Sequence, residues 1–177
     1  LFVDEAFYWL EGQNLAWSYA ELPDWTAWLL AFSEWLFPHH PGFLRLIPWL
    51  AALSLPWMAL AITKLVHPKE NVTGNFGLLW ALPLTGVISI LALPDVWLLF
   101  FGFLTVWLTL LALKKHHFLY FIALGLCLAI GLNVHVRYWI FVFILACSCL
   151  LIFRHHTSSI KKLLTISLPL ALIGLLP

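Results

Sequence analysis

Two adjacent carboxylates, Asp4 and Glu5, open an aromatic-rich stretch, Leu1-Phe2-Val3-Asp4-Glu5-Ala6-Phe7-Tyr8-Trp9-Leu10, in a chain with few charges. A carboxylate beside an apolar, partly dehydrated pocket keeps enough basicity to take a proton from a hydroxyl. At a helix N-terminus the same pair can serve only as a cap, worth about 0.3–1 kcal/mol through the macrodipole. Asp95, in Leu93-Pro94-Asp95 between two apolar runs, divides the same way. Pro-Asp is ordinary turn chemistry, yet an ionisable group at the mouth of a membrane bundle is costly and often functional.

Arg137 follows His135 and precedes Tyr138-Trp139. It is either an interfacial anchor with a snorkelling stem beside an aromatic belt or a bidentate cation for a phosphate. Arg45 has the same two readings and leans structural. The pairs His39-His40, His116-His117 and His155-His156 fall on both sides of the chain's apolar runs. Adjacent histidines without a third ligand chelate poorly, so no metal is expected.

These groups sit in a chain of 177 residues that is 63% apolar and 10% charged, with mean hydropathy +0.98. Soluble domains are near half apolar and a quarter charged, so the composition is that of an integral membrane protein in one domain. A net charge of +1 with no basic cluster among polar residues excludes nucleic acid as a partner. Cys127, Cys147 and Cys149 all lie in apolar runs and read as packing residues. The chain opens without Met and ends in an apolar run at Pro177, which predicts a fragment with membrane helices missing on both sides.

Residues 1–41 hold no run long enough to span a bilayer but are rich in Trp, which favours the interface. A helix is expected over residues 4–20. On its wheel Glu11, Asn14, Ser18 and Glu21 share a face, Asp4 sits at the edge of that face, and Glu5 points toward the apolar side. Leu22-Pro23 breaks it, and Asp24 caps a second helix ending near Phe37, before Pro38-His39-His40-Pro41-Gly42. The expectation is two interfacial amphipathic helices in the first extracytoplasmic loop. Six apolar runs follow, at about 43–63, 76–94, 95–113, 118–133, 138–153 and a truncated 163–177. The fold class expected is all-α, a polytopic transmembrane helix bundle. A turn at Gly74-Asn75 joins the first two runs, and Asn71-Val72-Thr73 would fall on the cytoplasmic side, where a glycosylation triplet has no use.

If every run crosses once, seven of nine Lys and Arg lie on one side, and seven of eight Asp and Glu on the other. The basic side is then cytoplasmic. On the outer face the Asp4 region, the Pro94-Asp95 tip and the tip at residues 133–137 converge.

The ordered set of segments resembles the polyprenyl-phosphate-sugar-dependent GT-C glycosyltransferases, most nearly their bacterial protein O-mannosyltransferase-like and aminoarabinose-transferase-like branches. Asp4-Glu5-Ala6-Phe7-Tyr8-Trp9 matches the family's Asp-Glu-Ala-x-Tyr-Trp. Tyr19-Ala20-Glu21-Leu22-Pro23-Asp24-Trp25-Thr26-Ala27-Trp28-Leu29 follows its Tyr-x-x-x-Pro-Pro-x-x-x-Trp-Leu block, with Leu22 in place of the basic residue and Asp24 in place of the second Pro. Gly42-Phe43-Leu44-Arg45-Leu46, the Pro94-Asp95 hairpin and Arg137-Tyr138, where the family usually has Lys-Tyr, come in the family's order.

The resemblance implies Asp4 as general base on an acceptor hydroxyl in an inverting displacement, with Asp95 as the second acidic residue. Glu5, Tyr8, Arg137 and Tyr138 become candidate substrate-binding residues, Arg137 for the donor phosphate. The partners implied are a polyprenyl-phosphate-sugar donor, a lipid, glycan or protein acceptor, and membrane lipids. No cofactor is implied, since the lipid-linked sugar is a substrate. The location implied is the bacterial inner membrane, with chemistry on the periplasmic side. The alternative from another class is a non-enzymatic membrane protein, a lipid-headgroup transporter, flippase or assembly subunit.

Overall fold

The computed structural model describes residues 3–16, 25–38, 40, 42–69, 77, 91–152 and 157–174. Most of the apolar run at 76–94 (76 and 78–90), the turn at Gly74-Asn75, the Asn71-Val72-Thr73 triplet, the Asp24 cap, and Ser18, Tyr19, Glu21 and Leu22 lie outside these residues. Among the described residues the chain is an all-α membrane bundle. Helix α1 is Val3–Gly12 and α2 is Trp25–Leu36. A short 3-10 turn, Phe43–Arg45, leads into α3, Leu46–Val66. Next come α4, Pro94–Lys115, α5, Phe118–Leu132, and α6, Val136–Ile152. The last stretch is α7, Thr157–Lys162, which runs through a π-helical turn, Leu163–Ser167, into α8, Leu168–Ile173.

The sequence punctuates these helices in readable ways. Pro94 takes the first position of α4, where its fixed φ suits the helix and its missing N–H costs nothing, and Leu93 before it is extended. Asp95 in the first turn and Lys114 and Lys115 in the last complement the macrodipole. His116 then adopts the left-handed conformation (φ 54°) and ends the helix. His117 Nδ1 accepts the Leu119 N–H at the start of α5, and His135 Nδ1 accepts the Arg137 N–H at the start of α6. In both cases a histidine ring nitrogen fills the capping role usually given to Ser or Asp.

Helix α1 is shorter than the span expected over residues 4–20. It ends at Gly12, and the chain turns through Gln13 and Asn14, so Asn14 does not continue a helical face with Glu11. The reason is packing on α2. A Cβ on Gly12 would lie 2.7 Å from the Ala27 carbonyl oxygen, so only glycine permits this approach. Glu34 of α2 then accepts hydrogen bonds from the Trp9 indole and from Gln13 Nε2.

Helix α4 is the centre of the bundle, packed between α3 and α5. The core joins Ala51 and Ala52 of α3, Val96, Trp97, Phe101 and Leu108 of α4, Leu124 and Cys127 of α5, and Tyr138 of α6. Inside it Thr105 Oγ1 lies 2.5 Å from the Tyr138 hydroxyl and 3.3 Å from Cys127 Sγ, a polar tie across three helices. Far from water such a bond has no competitor, so it fixes the depth at which α6 docks. The outside is apolar: Trp139, Ile140, Phe143, Ile144 and Leu151 of α6 are all exposed. A soluble protein rarely leaves so continuous an apolar face uncovered, and hydrocarbon covers it here.

Two stretches, Phe43–Val66 and α4, are long and apolar enough to cross a membrane. Helices α5 and α6 are apolar but have 15 and 17 residues, short of the about 20 that a crossing perpendicular to the bilayer needs. The tight tip between them takes up residues 133–135.

Candidate active site

One end of the bundle gathers the acidic residues of α1 with the two hairpin tips. The buried stripe of α1 is Glu5, Tyr8 and Gly12, on the same face at helical spacing. Asp4, about 100° round the helix from Glu5, is exposed.

Glu5 is fully buried, and its carboxylate is bound by three donors. Arg45 reaches it as a fork, Nε to Oε1 at 2.7 Å and Nη2 to Oε2 at 2.5 Å. The Ala92 N–H donates to Oε1 at 2.7 Å. A buried carboxylate needs this combination of charge and hydrogen bonds to remain ionised. The result ties α1 to the start of α3 and to the strap before α4, and it holds Asp4 in place. The Arg45 guanidinium is committed to this tie. The Ala92 contact spans 87 positions and carries no sequence signal, since any residue but proline has an N–H to give.

Asp95 and Arg137, from the two tips, form an ion pair, Nη1 to Oδ1 at 3.2 Å. Both side chains are open to solvent, at 44% and 68% exposure, so the pair holds loosely and can yield to a better anion. His135, beside Arg137, is held below its usual pKa by burial and by the Arg137 charge, against a smaller pull from Asp95.

Tyr8 links the two halves. Its hydroxyl is pushed up to about 12, mainly by burial and further by Glu11, Asp4 and Asp95, with Arg137 acting in the opposite sense. The groups that act on Tyr8 are therefore the three polar features of α1 and the two tips, gathered round one buried phenol. Tyr8, Leu30, Leu44 and Ala92 make the small core beneath them. Tyr138, expected among the substrate-binding residues, is buried one position past Arg137, with its hydroxyl on Thr105 and its ring beside Gly131.

From Arg137 an apolar groove of about 430 Å³ runs down the bundle between α3, α4 and α6, walled by Ile62, Leu98, Phe103, Val106 and Phe141. Among the described residues its one charged wall residue is Arg137, at the end that carries Asp95. Nothing in the sequence announced this groove, because its walls are ordinary apolar residues from three helices far apart in the chain. No group of three or more His, Cys, Asp or Glu suited to a metal ion occurs among the described residues.

No curated protein and no solved structure matches the chain. A family model does match, that of the dolichyl-phosphate-mannose-protein mannosyltransferases, over residues 23–177, a segment that holds Arg45, Asp95, Arg137 and the groove and begins after the Asp4-Glu5 block. With most of its length in that match, the chain belongs to the dolichyl-phosphate-mannose-protein mannosyltransferase family of membrane glycosyltransferases.

Proposed function

We propose that this chain carries the donor site and the base of a transferase that moves a sugar from a polyprenyl-phosphate to a hydroxyl acceptor, with inversion, on the extracytoplasmic face. The observation that carries the reading is the groove with Arg137 at its mouth. A prenyl tail suits apolar walls inside the membrane, and a phosphate at the tail's head suits an exposed arginine. Charge asymmetry supports the orientation. Lys114 Nζ bonds the Leu65 carbonyl, and Lys162 Nζ bonds the His116 carbonyl, so the basic ends of α3, α4 and α7 share the end opposite Asp95. Basic ends face the cytoplasm.

In this reading Asp4 is the general base. Its carboxylate takes the acceptor's hydroxyl proton while that oxygen attacks the anomeric carbon. The bond from that carbon to the phosphate oxygen breaks on the opposite face, and polyprenyl phosphate leaves with one more negative charge. Arg137 meets that charge as it develops, which helps rate as well as binding. Asp95 keeps Arg137 in position before the donor arrives and then releases it. Glu5 acts as a positioning residue through Arg45 and Ala92, and Tyr8 supplies a neutral hydroxyl for a sugar oxygen. Tyr138 contributes its ring to the groove wall. The acceptor enters from water toward Asp4, and the bacterial inner membrane fits such a layout.

Asp4→Asn in the full-length enzyme tests the assignment. It keeps shape and a capping oxygen but removes the proton acceptor. Turnover should fall by about 10²–10⁴ with donor binding retained, whereas loss of a cap alone costs about 1 kcal/mol of stability and leaves turnover nearly intact. Transfer at close to the parent rate would return Asp4 to a capping role.

A further inference from the structure

A second cavity lies away from the Arg137 groove and shares no wall residue with it. It has a volume of about 170 Å³ and sits between α4, α5, α6 and the helical run from α7 to α8. Leu124, Leu128, Leu145, Ala146, Leu163 and Leu164 are among its walls. Thr105, Thr109, Ser167 and Cys149 also border it, with the hydroxyls of Thr105 and Ser167 turned to Tyr138 and to the Phe121 carbonyl. A cavity of this size and polarity stays dry and takes hydrocarbon.

Two further observations say which hydrocarbon. One wall is the π-helical turn, Leu163–Ser167, which supplies Leu163, Leu164 and Ser167 to the cavity. Such turns are rare, cost backbone hydrogen-bond geometry, and collect at functional sites. Two residues before this turn, in the last turn of α7, lies Lys161, exposed and without a partner for its ammonium among the described residues. The same end of the bundle carries Lys114 and Lys115, while Asp4, Glu5 and Asp95 lie at the other end. Lys162, by contrast, is engaged with the His116 carbonyl and the Phe121 ring.

We propose that this cavity is a binding site for part of one acyl chain of an anionic phospholipid from the leaflet at the basic end, with the lipid phosphate on Lys161. It is a lipid site distinct from the donor groove. Bound there, the lipid fills the gap between α6 and the α7 to α8 run and so steadies the docking of α6, the helix that carries Arg137.

Native mass spectrometry of the purified full-length protein, with dioleoyl-phosphatidylglycerol or dioleoyl-phosphatidylcholine added to the detergent, tests the site. The parent should retain one phosphatidylglycerol in preference to phosphatidylcholine by about fivefold, the preference that one lysine near a phosphate supplies. Lys161→Gln, an exposed change that leaves the fold intact, should bring the two lipids to equal retention. Ala146→Phe, checked for helicity by circular dichroism, should fill the cavity and abolish retention of both. Arg137→Ala should leave phosphatidylglycerol retention unchanged, which separates this site from the donor groove. Equal retention of the two lipids by the parent, or an unchanged preference in Lys161→Gln, would overturn the proposal.

Discussion

Arg45 and Arg137 carry the same charge near the same end of the bundle, and the difference between them is enclosure. Arg45 meets a fully buried carboxylate with two nitrogens, whereas Arg137 meets an exposed carboxylate with one. Arg45→Ala would leave Glu5 buried and unpaired, so it should cost on the order of 3 kcal/mol and lower the melting temperature of the detergent-solubilised protein. Arg137→Ala should cost less than about 1 kcal/mol and instead weaken use of the lipid donor, with Arg137→Lys keeping part of that use. Melting curves and transfer assays on the three variants separate these effects; a transfer defect in Arg137→Ala no larger than its stability loss would reduce it to an anchor. Legibility at this scale was uneven. The wheel alone separated Asp4 from Glu5, because neighbours on a helix point about 100° apart. The partners of Glu5 lie 40 and 87 positions away and follow from packing that no local pattern encodes.

At the scale of elements, helix starts were legible where the chain is stiff and less so where a side chain does the capping. Pro94 marks the start of α4 because its φ is fixed. The start of α6 is set by His135 and falls at Val136, two residues ahead of the apolar run expected from 138, since the cap lets Val136 and Arg137 join the first turn. The end of α1 escaped the wheel altogether, because Gly12 stops it through contact with α2. The His135 cap also has a consequence for pH. Its Nδ1 must be unprotonated to accept the Arg137 N–H, and its pKa is already lowered from 6.5. A histidine with a lowered folded pKa contributes stability that is fully present above its unfolded value and is lost as pH falls through that value toward the folded one. The melting temperature of the parent should therefore fall between about pH 7.5 and pH 5.5. Asn caps without titrating, so His135→Asn should show a smaller fall. An equal fall in both proteins would take the cap out of the acid response.

For the whole molecule, the distribution of charge is the most legible feature, because short loops leave each lysine only one end of the bundle to occupy. The structure places Lys114 beside the end of α3 and Lys162 beside the end of α4, with Asp95, Arg137, Glu5 and Tyr8 gathered at the other end. The two grooves were not legible, since apolar walls drawn from separate helices look like any other membrane-facing residues. Which end faces the cytoplasm decides whether Asp4 meets acceptors outside the cell, and single cysteines in a background with Cys127, Cys147 and Cys149 replaced can read it. Gly12 is a poor place for a probe, as any side chain there strikes the Ala27 carbonyl. Asn14, two residues on, is exposed, and so is Lys69 beyond the end of α3. In intact cells a membrane-impermeant maleimide should label Asn14→Cys at once and Lys69→Cys only after permeabilisation. Seven basic residues on one side against two elsewhere make the opposite arrangement unfavourable during insertion. The reverse labelling pattern would put Asp4 and the Arg137 groove mouth in the cytoplasm, and sugar transfer on the extracytoplasmic face could not be the activity of this site.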